Sequence, residues 1–169
     1  MLNKLKLYME SSKKQSADTM LYDAKKICKT LATTKLANLH IQDYKYDVST
    51  AVNELGLDKE LVAELVDDYV TQIIKAVVQF ESYLKTLQTS KENNKVLDYT
   101  ALRELAHKNL GVARNLRIKD AEILLYELMK KNDLDYLVSC LEALKVCAIK
   151  LSPKCAYKTL KLIEVKSSL

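Results

Sequence analysis

Leu134-Asp135-Tyr136-Leu137-Val138-Ser139-Cys140-Leu141-Glu142-Ala143-Leu144-Lys145-Val146-Cys147-Ala148-Ile149-Lys150-Leu151 carries the most regular apolar pattern in the chain. Leu134, Leu137, Leu141, Leu144, Ala148 and Leu151 step by three and four residues in alternation, which is how one helix presents a seam to its neighbours in a bundle. Asn132-Asp133 breaks the chain before this stretch. Ser152-Pro153 restarts it afterwards, since proline is tolerated in the first turn of a helix.

Working outward, residues 119–131 form a short amphipathic helix, and Asp98 caps another that runs to about Leu116. Asp58 caps the longest helix, whose stripe is Leu61, Leu65, Tyr69, Ile73, Ala76, Phe80, Leu84 and Leu87. That helix is expected to end near residue 88, before a solvent loop of Thr89-Ser90-Lys91-Glu92-Asn93-Asn94. Residues 47–55 make a short helix that stops at Gly56, a C-terminal cap. Residues 41–46 are a polar, aromatic joint. Met20, Ala24, Cys28, Leu31 and Leu39 recur at helical spacing in an accessory region over residues 1–46, with Asp18 able to cap its start. A last amphipathic helix is expected within residues 152–169.

Composition agrees with this pattern. Two glycines and one proline in 169 residues leave little material for tight turns, hairpins or glycine-rich phosphate loops. Leu, Lys, Ala and Glu, all good helix formers, dominate instead. The expected class is all-α. Short connections favour antiparallel neighbours, hence a four-helix up-and-down bundle over residues 47–151 with additional N-terminal and C-terminal helices.

Several function classes are disfavoured. No apolar run approaches the length of a membrane span and the first residues lack a signal-peptide core, so a cytoplasmic location without membrane insertion is expected. Cys28, Cys140, Cys147 and Cys155 have no zinc-binding spacing and read as free thiols packed as small apolar groups. The net charge of +5 is spread unevenly, with positive ends and an acidic middle. Its lysines alternate with apolar positions, so a solvated helix face is favoured over a nucleic-acid surface. His40 and His107 are the only histidines, and Asp67 and Asp68 diverge on successive helix positions, which argues against an enzyme acting in its own right.

The stretch with chemical content is Ala106-His107-Lys108-Asn109-Leu110-Gly111-Val112-Ala113-Arg114-Asn115-Leu116-Arg117. At about 100° per residue, Leu105, Val112 and Leu116 fall roughly 140–180° from His107, and the core is expected on that side. Arg103, Gly111 and Arg114 fall within about 40° of His107. An exposed imidazole is therefore expected between two arginines that could hold a phosphoryl group by charge-assisted hydrogen bonds. A mid-helix glycine costs about 1 kcal/mol relative to alanine. Its outward direction suggests close approach of a partner.

These residues resemble the motif of the histidine-phosphotransfer (HPt) family: His, two variable residues, Lys, Gly, then a helix ending in Asn-Leu-Gly or a near variant. His107 and Gly111 match by position, and Asn115-Leu116 matches the helix end. The order of helices over residues 47–151 agrees with it. The resemblance implies that His107 carries a phosphoryl group between receiver-domain aspartates of a two-component system. Imidazole titrates near neutrality, which leaves a nucleophilic nitrogen at pH 7. Partners would be a response-regulator receiver domain or a hybrid histidine kinase. Metal ions belong to the partner in that family, so neither cofactor nor metal ligands are expected here.

This chain departs from the motif at the Lys, which is Leu110, and at the apolar residue before it, which is Asn109. The wheel sends Asn109 to the core and leaves Leu110 beside His107 on the surface. Lys108, Arg103 or Arg114 would then supply the missing cation. Arg117 stands where the family often has Gly. The alternative readings are a pseudo-HPt adaptor that docks a receiver or kinase through Leu110 and Gly111 without transfer, and a structural bundle that assembles through its terminal helices.

Overall fold

The computed structural model describes residues 16–168 and is entirely helical among them. Seven α-helices follow in order: α1 Ala17–Thr33, α2 Val48–Leu55, α3 Lys59–Glu92, α4 Thr100–Asn115, α5 Lys119–Lys130, α6 Leu134–Leu151 and α7 Pro153–Ser167. A single 3-10 turn, Ala37–Leu39, lies between α1 and α2. No helix of the described residues is long and apolar enough to cross a membrane. The part of the expected accessory region over residues 1–15 lies outside the described residues.

Local chemistry accounts for most boundaries. Asp47, Asp58 and Asp133 each accept a hydrogen bond from a backbone N–H in the first turn of α2, α3 and α6, satisfying donors that have no intrahelical partner. Gly56 closes α2 in the left-handed region at φ 66°. Ser16, not Asp18, caps α1 by accepting from Thr19. Asp98 accepts from the Thr100 amide just ahead of α4. The long helix α3 continues through Glu92, beyond the expected stop. Nothing in residues 89–92 is a breaker, and the helix ends only where Asn94 turns left-handed.

α6 sits at the centre. It packs against α1, α3, α5 and α7, and Leu137, Cys140, Ala143, Leu144 and Ala148 are among its residues withdrawn from water. Only Asp135, Val138 and Glu142 of α6 are exposed. The heptad seam accounts for just one side of this burial, because Cys140, Ala143, Val146, Cys147 and Ile149 lie off it. α1 fills one flank: Met20, Ala24, Cys28 and Leu31 belong to the same apolar cluster as α3 to α6. α7 fills another. Its entry is held on α3 by Ser152, which donates to Asp67 Oδ1 at 2.6 Å, and by Cys155, 3.1 Å from the Thr71 hydroxyl.

Burial on several sides makes α6 intolerant of lost volume. Leu144→Ala is expected to cost about 2–5 kcal/mol, whereas Val138→Ala on the exposed strip should stay within about 0.5 kcal/mol. Urea unfolding of the two variants checks the difference.

Candidate functional site

α4 and α5 run antiparallel and are tied together at both ends. Near the start of α4, the Arg103 guanidinium donates to the carbonyls of Leu128 at 3.0 Å and Lys131 at 2.8 Å, and also to the Asn132 side chain. It lies 4.6 Å over the Tyr99 ring, whose hydroxyl donates to the Asn132 carbonyl at 2.8 Å. Arg103 thus closes the C-terminus of α5, where the helix dipole favours a cation. At the other end, Arg114 Nε pairs with Glu122 at 3.2 Å.

The corner after α4 is clamped by the aromatic joint. Tyr46 donates to the Leu116 carbonyl at 2.8 Å and Tyr44 to the Arg117 carbonyl at 3.2 Å. The Lys119 amide donates back to the Tyr44 hydroxyl at 3.0 Å. Arg117 itself is left-handed at φ 64°, a conformation that favours glycine. Its guanidinium compensates by donating to Glu54 on α2 at 2.7 Å and to the Arg114 carbonyl at 2.9 Å.

Between these two ends, His107 lies in the middle of α4 with its side chain exposed, and no hydrogen-bond partner for it occurs among the described residues. Lys108 and Gly111 are exposed beside it. A Cβ built on Gly111 would meet nothing within 4 Å. The fold therefore has no packing need for glycine there, and helix propensity opposes it. Arg114, 59% exposed, is one further turn along.

Two of the expected site residues are placed differently. Leu110 is 3% exposed, in the core and not beside the imidazole. The buried arc of α4 is Leu102, Ala106, Asn109, Leu110 and Ala113, while Leu105 and Val112 are only half-buried. The arc is turned because α5 covers a flank that an isolated wheel leaves to water. Arg103 is likewise withdrawn from any phosphate-binding role by its bonds to α5. Asn109 is buried as expected and is satisfied, donating to the Leu105 carbonyl at 2.9 Å and accepting from Gln72 at 3.4 Å. Of the cations considered, Lys108 and Arg114 remain on the His107 surface.

A second polar group was not legible beforehand. Cys28 on α1 and Cys147 on α6 bring their sulfurs within 4.0 Å, and Lys150 Nζ is 3.7 Å from the Cys28 sulfur. The two cysteines are 119 residues apart, so local spacing carries no signal of their contact. No cluster of three or more metal-ligating side chains occurs among the described residues.

Compared with protein-family models, curated proteins and solved structures, the chain matches nothing in any of the three.

Two substitutions separate surface from core. Gly111→Ala should raise unfolding stability by about 0.5–1 kcal/mol, because the added methyl meets open space. Leu110→Lys should lower it by more than about 2 kcal/mol, since an unpaired ammonium would be buried. Thermal or urea denaturation reads both.

Proposed function

We propose that this chain is a phosphorelay intermediate of the HPt kind, with α3 to α6 as its four-helix up-and-down bundle and His107 as the phosphoacceptor. One observation carries the reading. A mid-helix glycine with open space over it stands one turn beyond an exposed imidazole, an arrangement that costs helix stability and makes sense where a partner's backbone comes close. The order of helices and the motif residues His107, Gly111, Asn115 and Leu116 support the same conclusion.

In this reading a receiver domain carrying an aspartyl phosphate docks over Gly111. The unprotonated imidazole nitrogen attacks phosphorus, the bond from phosphorus to the carboxylate oxygen breaks, and the aspartate leaves as its carboxylate. The reverse step passes the group to a second receiver. Lys108 and Arg114 stand in for the family's lysine by holding the phosphoryl oxygens. Arg114 would exchange its exposed pairing with Glu122, which is weakly held in water. The clamps at both ends of α4 and α5 keep the docking face rigid, so little ordering cost accompanies association.

A second reading draws on the burial of Leu110. With no cation available from the motif position, the chain would dock receivers without transfer, as a pseudo-HPt adaptor.

Incubation with a receiver domain bearing radiolabelled aspartyl phosphate tests both. Acid-labile label is expected on the wild-type chain and absent from His107→Gln. Label surviving in that variant would exclude His107 as the acceptor. Stable receiver binding without label, unchanged by His107→Gln, would favour the adaptor.

A further inference from the structure

The contact between α1 and α6 contains more chemistry than packing requires. Cys28 and Cys147 face each other at 4.0 Å, and closing to a disulfide asks the sulfurs to move by about 2 Å. Lys150, one turn from Cys147 on α6, brings its ammonium to 3.7 Å from Cys28. Asp120, in the first turn of α5, is buried against Cys147, with one carboxylate oxygen accepting from the Ala121 amide at 2.7 Å. Cys147, Lys150 and Asp120 line a cavity of about 350 Å³ that Tyr44 and Tyr46 border. The volume admits a small oxidant to the side of the group that Cys147 and Lys150 present, with the Cys28 sulfur one contact behind it.

The two sulfurs are electrically unlike. The contact with Cys147 lowers the Cys28 thiol, with Lys150 adding to the effect against the opposing influence of burial and of Asp120. Cys147 is pushed up by the same contact, by burial and by Asp120. Burial raises the Asp120 carboxyl, which suits it to hold a proton. Tyr69, also packed nearby, is raised by its burial and stays neutral. Cys140 is a contrast on the same helix: burial pushes it up to about 12, and no cation accompanies it. A thiolate beside a cation and a second thiol is the arrangement of reactive cysteines, while an isolated buried thiol is inert.

We propose that Cys28 and Cys147 are a redox-active dithiol, which a hydroperoxide converts to a disulfide stapling α1 to α6. The Cys28 thiolate attacks one peroxide oxygen and the O–O bond breaks. The departing hydroxide or alkoxide takes up a proton and leaves as water or alcohol. Cys28 is now a sulfenic acid. Cys147 passes its proton to Asp120 and attacks the Cys28 sulfur, the S–O bond breaks, and hydroxide leaves as water after accepting that proton. Two thiols have lost two electrons, and the peroxide has gained them. The staple would close a loop of more than a hundred residues and hold the accessory helix on the bundle. This chemistry is independent of phosphotransfer.

The test is peptide mapping of the reduced, full-length wild-type protein after a few equivalents of hydrogen peroxide at pH 7, with remaining thiols alkylated. A linked peptide pair joining Cys28 to Cys147 is expected before any oxidation of Cys155, the one cysteine that is not fully buried. Reductant should reverse it, and the oxidised protein should melt higher by on the order of 10 °C. Cys147→Ser should stop at a Cys28 sulfenic acid that dimedone traps, and Lys150→Met should slow oxidation on the order of tenfold. Oxidation falling on Cys155 first, or the absence of a link between Cys28 and Cys147, would overturn the proposal. Because the mapping uses the unaltered protein, it decides the matter even where a variant folds poorly.

Discussion

The constraint on which the rest depends is the lack of a broad solvent face on α6. A helix that carries Leu137, Cys140, Ala143, Leu144, Cys147 and Ala148 around its circumference must be enclosed, since each of these side chains gains free energy only when water is excluded from it. Two neighbours would cover a seam. α6 needs four, and it obtains them from α1, α3, α5 and α7. The positions of those helices follow from this demand, and so does the incorporation of α1 into the main apolar cluster.

The surface around His107 is a consequence of the same enclosure. α5 must lie on α6 with one face and meet α4 with another, so α4 is left with only a strip of its circumference in water. Arg103 and Tyr99 close one end of the α4–α5 pair, while Tyr44 and Tyr46 hold the corner at the other. Those bonds satisfy carbonyls that helix termini leave without partners. They also immobilise the strip that carries His107, Lys108, Gly111 and Arg114. Side chains suited by type to a ligand thus divide into two groups. Arg103 is committed to structure, and Lys108 remains on the surface.

Polar groups buried at the edges of the core complete the picture. Asn109 is tolerated between α3 and α4 because Gln72 and the Leu105 carbonyl provide its partners. The group of Cys28, Cys147, Lys150 and Asp120 is of another kind, because Cys147 and Lys150 lower the Cys28 thiol, the contact with Cys28, burial and Asp120 raise Cys147, and Cys147, Lys150 and Asp120 border a cavity.

The all-helical class, most helix limits and the exposure of His107 were legible in the residues alone, because they rest on local physics. Scarce glycine and proline, the Asp58 cap, the break at Asn132-Asp133 and the period of apolar residues act over one or two turns. Which way Leu110 and Arg103 face was not legible, since a helical wheel ranks directions without knowing that α5 occupies one of them. The end of α3 was misjudged for a related reason: polar residues such as Ser90 and Glu92 permit a helix as readily as a loop. The meeting of Cys28 with Cys147 lay furthest beyond reach. Periodicity describes a single helix, whereas the juxtaposition of two sulfurs across more than a hundred residues is decided only when the central helix is enclosed.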